Sequence, residues 1–353
     1  MHALADPVDG ILLREAILVH STGPVAVLDD QSGALALGMV EEWGAESVRV
    51  HCDTLTDERA VRETVRGLAS VQLVPELGPD LLAGVGLVVL RLPKSLSALD
   101  EIAEAVARWA DPGVQLLAGG RVKHMNRGMN EVLGRHFGSV RGSLGAQKSR
   151  VLLAAEPAPP AEPRYPVSAF DAELELTVCA HGAAFAGPAV DLGTRFLLSL
   201  QDAFPTSPGL VVDLGCGTGV LAVCAARTRP GATVLALDES QAAVLSATAT
   251  ARANGVGDRV QVRRASLLEG VSDASVDLVL CNPPFHRGNT RDSAVAFEMF
   301  DDAARALAPS GELWAVYNSH LPYLRTLRRL VGRTDVVAQN PGYTVTRSVR
   351  SPR

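Results

Sequence analysis

An asparagine, two prolines and a phenylalanine, Asn282-Pro283-Pro284-Phe285, stand together at the end of an apolar run. The Asn282 side-chain oxygen can accept one N–H of a flat amino group, and the Pro283 carbonyl can accept the other. Phe285 can stack on the ring that carries this amine. An amine conjugated to a ring is a poor nucleophile, and two acceptors would draw it towards a tetrahedral geometry. We therefore predict that these four residues are catalytic and clamp the exocyclic amine of a nucleobase.

A glycine-rich loop precedes this clamp, with Asp213 followed by Gly215, Gly217 and Gly219. Glycines permit positive φ angles and the close approach of a ligand to the main chain. The spacing differs from that of the dinucleotide-binding loop, which cradles a pyrophosphate. A carboxylate beside the turn would repel phosphate but suits the cationic amino-acid end of S-adenosylmethionine (SAM). The loop therefore favours SAM over NAD, and the alternative is a turn used only for tight helix–strand packing.

Other cofactor contacts are expected at the ends of the next predicted strands. Asp238 can accept hydrogen bonds from both ribose hydroxyls, and Ser266 lies where a contact to the adenine edge is expected. The predicted cofactor-binding residues are Asp213, Gly215, Cys216, Gly217, Gly219, Asp238, Ser266, Leu267 and Asn282. A sulfonium leaving group requires no metal, so we predict no metal site. His286, directly after the clamp, is a candidate proton relay.

The charge distribution suggests a polyanionic partner. The 353 residues carry a net charge of −6, but residues 121–150 hold seven lysines and arginines against one acid. Residues 321–353 hold seven arginines and one aspartate. Local basic segments can bind phosphates even in an acidic chain. We predict that Arg121, Lys123 and Arg127 bind RNA, and the alternative is a solvated basic surface.

Composition sets the broad class of protein. The chain is 47% hydrophobic and has no apolar stretch long enough to span a bilayer. Its N-terminus has no basic segment typical of a signal peptide. Its five cysteines are scattered, which argues against a disulfide framework or a zinc site. We expect a cytoplasmic monomer without a membrane segment.

The length predicts two domains. A proline-rich linker at residues 156–164 separates residues 1–155 from a catalytic domain at residues 165–353. The second half alternates strands and helices, which predicts a parallel, doubly wound α/β sheet. The first half resembles a degenerate copy, because segments 27–33, 87–94 and 104–116 match 213–219, 278–285 and 302–313 in the same order. It keeps one loop glycine and has Leu92-Pro93-Lys94 in place of the clamp, so we expect it to bind RNA or support the fold.

Residues 281–286 resemble the signature of bacterial ribosomal RNA guanine-N2 methyltransferases that contain a duplicated methyltransferase fold. The resemblance covers nearly the whole chain. It includes segments 28–35, 92–94 and 118–120 in the first half, and 185–198, 297–300 and 318–323 in the second. It implies two tandem Rossmann-like domains with mostly parallel seven-stranded sheets, of which the first is degenerate.

The family resemblance also implies the roles of single residues. It implies SAM at Asp213, Gly215, Gly217 and Asp238. Guanine is implied at Asn282, Pro283 and Phe285, and we add Phe185 and His286 as substrate-binding residues. Residues 238–240 and 298–300 are closer to the members that modify 23S rRNA than to those that modify 16S rRNA. One departure is Ser266, where the family pattern has Asn or Asp.

Three alternatives remain open from the sequence. The chain can be a 16S rRNA guanine-N2 methyltransferase. It can be another amino methyltransferase, which modifies adenine N6 or the N5 amide of a protein glutamine, because the same clamp serves these amines. It can also be an RNA-binding or assembly factor without enzymatic activity. We expect ribosomal RNA or a ribosomal subunit as the partner.

Overall fold

A computed structural model describes residues 6–21, 23–284 and 290–350. Phe285 and His286, two predicted site residues, lie outside the described residues. The chain divides into two compact units, Met1–Tyr165 and Pro166–Arg353.

The first unit is an α/β sheet structure. Its helices are α1 (Pro7–Ile17), α2 (Ala34–Glu41), α3 (Leu55–Thr64), α4 (Pro79–Leu82), α5 (Leu96–Trp109) and α6 (Arg127–Leu133). Its strands are β1 (Val25–Leu28), β2 (Val48–His51), β3 (Val71–Leu73), β4 (Leu87–Arg91), β5 (Gln115–Arg121), β6 (Phe137–Gly142) and β7 (Ser149–Pro157). The described strands form a seven-stranded sheet in the order β3-β2-β1-β4-β5-β7-β6.

The second unit repeats this plan and adds a hairpin. Its helices are α7 (Leu192–Leu198), α8 (Val220–Thr228), α9 (Gln241–Ala253), α10 (Thr290–Ala306) and α11 (Tyr323–Leu330). The hairpin consists of β8 (Val167–Asp171) and β9 (Leu176–Ala180). The sheet strands are β10 (Leu210–Leu214), β11 (Thr233–Asp238), β12 (Val260–Arg264), β13 (Val276–Cys281), β14 (Leu307–Asn318), β15 (Gly332–Gln339) and β16 (Tyr343–Arg350).

The two sheets share one topology. The second sheet has the order β12-β11-β10-β13-β14-β16-β15, which is the order of the first sheet strand for strand. In each sheet the first five strands pair in parallel, and the last two pair antiparallel. The predicted fold class, two mostly parallel seven-stranded sheets of doubly wound type, is confirmed.

Burial on both faces explains the apolar central strands. In β10, Val211 packs into one core with Leu278, whereas Val212 packs into the core on the opposite face with Val279. A parallel strand covered by helices on both sides is expected to be apolar along its whole length. Asp213 interrupts this pattern, and a buried carboxylate at a strand end is a candidate functional residue.

The added hairpin is attached to α9 by a row of polar side chains. Cys179 N–H donates to Thr250 Oγ1 at 3.0 Å, and His181 N–H donates to Ser246 Oγ at 2.8 Å. Asn254 lies one turn further along and bonds both the N–H and the carbonyl of Thr177. These helix positions are four residues apart and therefore lie on one face. The row fixes the start of the loop that leads from β9 to α7.

The segment predicted as a linker is fastened to the first unit. Strand β7 extends to Pro157, and the following residues 158–165, here called the strap, lie against α5. Arg164 N–H donates to Glu104 Oε1 at 2.9 Å, and the Arg164 guanidinium donates to Asp100 Oδ2 at 2.8 Å. Tyr165 Oη donates to the same carboxylate oxygen at 3.1 Å. The strap is thus an ordered part of the first unit.

Asp100 is the centre of this attachment. It is buried, and it also contacts His136 Nε2 at 3.0 Å. Burial by itself raises the pKa of Asp100, but the hydrogen bonds from His136 and Tyr165 and the charge of Arg164 outweigh it and hold that pKa below its ordinary value. His136 and the strap residues Arg164 and Tyr165 therefore stabilise the charged form of the carboxylate.

We expect Asp100→Asn to loosen the strap, because the amide removes the negative charge that Arg164 faces. The loss of charged hydrogen bonds should lower the free energy of unfolding of the first unit by roughly 1–3 kcal/mol. Trypsin should cleave the variant faster after Arg164, as measured by mass spectrometry alongside urea denaturation of the full chain. Glu76→Gln, at an exposed acid of the same unit, is the matched control. Equal cleavage rates in the two variants would contradict a fastened strap.

Candidate functional site

The glycine-rich loop connects β10 to α8 and is held by the neighbouring strand. Gly215, Gly217 and Gly219 have φ angles of 74°, 54° and 78°. The N–H groups of Gly215 and Cys216 both donate to Leu237 O at 2.9 Å. Gly217 N–H donates to Asp238 Oδ2, also at 2.9 Å. The end of β11 therefore fixes the path of the loop.

The three glycines serve different purposes. A Cβ on Gly219 would lie 2.8 Å from the Cβ of Ala247, so this glycine allows α8 to approach α9 closely. A Cβ on Gly215 would lie 3.0 Å from Met299 Cε. A Cβ on Gly217 would meet no described atom within 4 Å and would project into open space. Of the three, Gly217 leaves room for a ligand against the main chain.

Asp213 lies beneath this loop and is 1% exposed. Its Oδ2 accepts the N–H of Ala222 at 3.0 Å, in the first turn of α8. Its Oδ1 is buried and has no hydrogen-bond partner among the described residues. Burial raises the pKa of Asp213 to about 7, which is the net value after the bond from Ala222 lowers it and the charge of Asp238 raises it. A buried oxygen without a donor suits a cationic ligand that brings one.

The remaining predicted cofactor residues lie near the carboxyl ends of the neighbouring strands. Asp238 accepts the N–H of Ser240 at 3.0 Å as well as that of Gly217. Ser266 and Leu267 follow β12, and Leu267 has a positive φ of 52°. Cys216 is buried in the core, and burial raises the pKa of its thiol well above the ordinary value. Direct contacts of these residues with a cofactor stay predictions.

Asn282 follows the last residue of β13 and has a fixed side-chain orientation. Its Nδ2 donates to Asp191 Oδ2 at 2.9 Å and to Thr194 Oγ1 at 3.0 Å. A carboxylate only accepts hydrogen bonds, so the amide nitrogen must face it. The opposite end, Oδ1, is buried and has no hydrogen-bond partner among the described residues. The side chain thus presents an unused acceptor, as the predicted amine clamp requires.

The clamp residues beside Asn282 differ in exposure. Pro283 is buried and Pro284 is exposed. The catalytic role of Phe285 and the relay role of His286 concern residues outside the described part of the chain. They remain predictions.

The two residues that orient Asn282 were missed from the sequence. Asp191 is the N-cap of α7, and its Oδ2 also accepts the N–H groups of Gly193 and Thr194. An aspartate just before a helical segment is a recognised cap signal. That signal predicts the helix start, but it does not indicate a contact 91 residues away in the chain.

The predicted substrate-binding residues lie in two places. Phe185 is 59% exposed in the loop between β9 and α7, within the second unit. Arg121 ends β5 in the first unit, where its Nη2 is 3.6 Å from Asp6 Oδ2. Lys123 and Arg127 are exposed just beyond it. The RNA-binding role of these residues stays a prediction.

The corresponding loop of the first unit is bonded to its own side chain, Asp30. Asp29 has a positive φ of 56°, and Gly33 starts α2 with a φ of 84°. The carboxylate of Asp30 accepts the N–H groups of Gly33 and Ala36 at 2.9 and 3.0 Å. These bonds use both oxygens of Asp30, and no glycine precedes Gly33 in this loop. The expected loss of a cofactor site in this unit is consistent with this arrangement.

Membrane-spanning helices and metal-binding clusters are both absent from the described residues. Across residues 6–21, 23–284 and 290–350, no helix combines the length and apolar character that crossing a membrane requires. In the same residues, no group of three or more His, Cys, Asp or Glu side chains is arranged to hold a metal ion.

Two family models match the chain, one in each unit. Residues 5–159 match the model described as the RLMG N-terminal domain. Residues 175–347 match the model described as the methyltransferase small domain.

Relatives match over nearly the full length. A ribosomal RNA large subunit methyltransferase G of Pseudomonas aeruginosa is 35% identical over 351 residues, which cover 96% of this chain and 91% of the relative. The protein of the same name from Streptomyces coelicolor is 35% identical, with 94% and 89% covered. A solved structure of the Thermus thermophilus 16S rRNA N2 G1207 methyltransferase, in complex with AdoMet and guanosine, has a TM-score of 0.79 at 23% identity. It covers 98% of this chain and 92% of its own chain, and it shows the shared fold.

We expect alanine at Gly217 and at Gly219 to have different effects. Gly219→Ala should lower the free energy of unfolding by roughly 2–5 kcal/mol, because it combines a positive φ with a clash against Ala247. Gly217→Ala should cost about 1 kcal/mol from its φ alone, but it should weaken binding of the predicted cofactor SAM. Urea denaturation and calorimetric SAM titration measure the two effects. A Gly217→Ala variant that binds SAM as tightly as wild type would contradict the role assigned to the open space.

Proposed function

Since the chain belongs to the family of the ribosomal RNA large subunit methyltransferase G, we propose that it methylates the exocyclic N2 amine of a guanosine in 23S rRNA. The chain is an enzyme, a methyltransferase that uses SAM. The alternative of a non-enzymatic RNA-binding factor is therefore set aside. The guanosine amine and the roles of individual residues are the finer parts of this proposal.

The orientation of Asn282 is the observation that carries the proposal. Its Nδ2 is bound by Asp191 and Thr194, and its buried Oδ1 has no partner among the described residues. An unpaired buried acceptor costs about 1–3 kcal/mol, which a ligand N–H recovers on binding. The site therefore favours a substrate that donates a hydrogen bond, such as an amino group, over one that offers only a carbonyl.

The cofactor side of the site fits SAM. The unpartnered Oδ1 of Asp213 suits a cationic amino-acid group, and the open space at Gly217 allows a ligand to lie against the loop. We infer that Asp238, at the end of β11, contacts the ribose and that Ser266 and Leu267 contact the adenine. Gly219 and Cys216 support the loop from within the core.

The chemistry follows from the positions of these residues. When bound, SAM supplies a methyl group on a sulfonium, which leaves as a neutral thioether. Asn282 Oδ1 and the Pro283 carbonyl each accept one N–H of the amine, so the nitrogen is held with its lone pair directed away from the base plane. Positive charge develops on that nitrogen, and the two carbonyl dipoles stabilise it. Phe285 stacks on the base, and the surplus proton leaves to water or through His286.

The RNA substrate is supported by the charge and family of the chain. Lys123 and Arg127 are exposed and form no ion pair with a described residue, and Phe185 offers an exposed ring for stacking. We infer that these groups and Arg121 contact the RNA. All five cysteines are free and buried, which supports action in the reducing cytoplasm, where we propose that the enzyme works as a monomer.

We expect the protein to transfer labelled methyl groups to 23S rRNA from a strain that lacks this enzyme. Digestion to nucleosides and mass spectrometry should give N2-methylguanosine. Asn282→Ala should lower kcat by about 100-fold or more, because the amine loses a positioning acceptor. Gln261→Ala, at an exposed amide of the same unit, is the matched control and should retain wild-type activity.

Each other product of this assay identifies an alternative. Methylation confined to 16S rRNA would contradict the large-subunit assignment. N6-methyladenosine, or a methylated protein glutamine, would contradict guanine as the target. Full activity of Asn282→Ala would overturn the clamp.

We expect SAM affinity to depend on pH through Asp213, whose pKa is about 7 in the free protein. A cationic ligand beside the carboxylate favours its charged form, so binding releases a proton below that pKa and strengthens as pH rises. The ratio of wild-type affinity to that of Asp213→Asn should increase roughly tenfold between pH 6 and pH 8. The asparagine keeps an acceptor for Ala222 N–H, and the ratio cancels titration of SAM itself. Calorimetry at several pH values measures both proteins, and a constant ratio would exclude Asp213 as the cation partner.

A further inference from the structure

The orientation of Asn282 raises the question of what selects it. An asparagine amide has nearly the same shape when its oxygen and nitrogen exchange places, so packing alone cannot distinguish the two arrangements. The reversed amide would present an N–H donor to the base. Guanine offers an amino donor at N2 but acceptors at O6 and N7. The orientation of one amide therefore determines which edge of the base the clamp accepts.

We propose that Asp191 and Thr194 are positioning residues that fix the hydrogen-bonding polarity of Asn282 and so restrict the clamp to an amino group. This inference rests on the proposed function and deepens it. Both groups accept from Nδ2, at 2.9 and 3.0 Å. Reversal would place the amide oxygen against the Asp191 carboxylate, where two acceptors repel each other.

Hydrogen bonds from the backbone of α7 fix the position of the Asp191 carboxylate. Its Oδ2 accepts from Gly193 N–H at 2.9 Å and from Thr194 N–H at 3.1 Å, in addition to Asn282. The cap of α7 and the orientation of the clamp thus depend on the same oxygen atom. A Cβ on Gly193 would lie 3.1 Å from the ring of Tyr343, so Gly193 lets α7 begin close to β16. The start of α7 is therefore fixed by the Asp191 cap and by its close packing against Tyr343.

The first unit provides an internal comparison. Val25 pairs with Leu87 there, as Val211 pairs with Leu278 in the second unit. Arg91 lies four residues after Leu87, and Asn282 lies four residues after Leu278. Arg91 therefore occupies in the first unit the position that Asn282, the first residue of the clamp, occupies in the second.

The helices that face these two residues also correspond. Helix α1 packs on β4, β5 and β7, and α7 packs on β14 and β16, the counterparts of β5 and β7. The N-cap of α1 is Asp6, and its third residue is Asp9. Arg91 forms an ion pair with Asp9, and its Nη2 lies 3.7 Å from Asp6 Oδ1.

The same two helix positions therefore face the clamp position in both units. Where both are acids, as in the first unit, they face a guanidinium, which has five donors and no acceptor. Where one is an acid and the other a hydroxyl, as in the second unit, they face a neutral amide that keeps an acceptor for the substrate. We infer that the residues at these two helix positions determine whether the residue at the clamp position has a free hydrogen-bond acceptor.

The test uses pairs of variants that differ by one acceptor. Thr194→Val removes the hydroxyl at nearly constant shape, and Thr194→Ser retains it. Asp191→Ser keeps a capping hydroxyl for α7 but shortens the side chain that reaches Asn282. Asp191→Asn keeps an oxygen that can accept all three N–H groups. Each pair contains its own rescue variant.

We expect Thr194→Val and Asp191→Ser each to lower kcat for rRNA methylation about tenfold, the effect of one lost hydrogen bond in the transition state. Thr194→Ser and Asp191→Asn should stay within about threefold of wild type. SAM affinity and the thermal midpoint should change little in all four variants. A general loss of structure would instead lower SAM affinity and the midpoint together with kcat.

Competition by two nucleosides reports the polarity directly. Guanosine and inosine differ only by the N2 amine, and each is added as an inhibitor of rRNA methylation. Wild type should bind guanosine roughly tenfold more tightly than inosine, because only guanosine donates to Asn282 Oδ1. In the double variant Asp191→Ser/Thr194→Val the amide can reverse, and the ratio of the two inhibition constants should approach one.

The outcomes separate this inference from the proposed function. If wild type does not methylate rRNA guanosine, the proposed function fails. If wild type is active but Thr194→Val keeps wild-type kcat, or the double variant keeps the wild-type ratio of inhibition constants, Asp191 and Thr194 do not set the polarity. The proposed function would then stand without this inference.

Discussion

Parallel pairing of β10 with both of its neighbours is the constraint on which the site depends. Leu214, the last residue of β10, lies level with Leu237 of β11 and with Cys281 of β13. The three strands therefore end within one residue of one another, and the residues at and after their ends meet at one edge of the sheet. The glycine loop, Asp238 and Asn282 are far apart in sequence but become neighbours through this register. Ligands of open α/β sheets bind at this edge for the same reason.

The two units show that the same sheet topology can occur with or without a predicted ligand site. They share the order of their sheet strands, and they differ in the side chains at the carboxyl edge of the sheet. In the first unit, Asp30 satisfies the start of α2, and Arg91 is neutralised by Asp9. In the second unit, Asp213 accepts the N–H of Ala222 with one oxygen, and Asn282 bonds described residues only through its nitrogen.

The sequence was sufficient to predict the parts of the site that follow from local pattern. The strands, the glycine loop and the Asn-Pro-Pro segment each have a signal within a few residues, and the strand ends place them together. The orientation of Asn282 was not predictable, because Asp191 contacts it through folding alone. The difference between Gly217 and Gly219 likewise depends on where α9 packs. Residues 156–164 were predicted as a linker because their composition is proline-rich, whereas the bonds of Arg164 to Asp100 and Glu104 involve residues distant in the chain.

Unsatisfied polar atoms at the carboxyl edge point to a balance between stability and activity. A buried polar atom without a partner costs about 1–3 kcal/mol, so such an atom at the carboxyl end of a strand is a candidate ligand contact. Two such atoms, Asp213 Oδ1 and Asn282 Oδ1, lie at this edge of the second unit. They belong to the predicted cofactor side and the predicted substrate side of one site. In the first unit the carboxylate of Asp30 is bonded through both oxygens. Asp30 of the first unit is thus satisfied within its own loop, whereas Asp213 and Asn282 of the second unit each keep an acceptor that a ligand can complete.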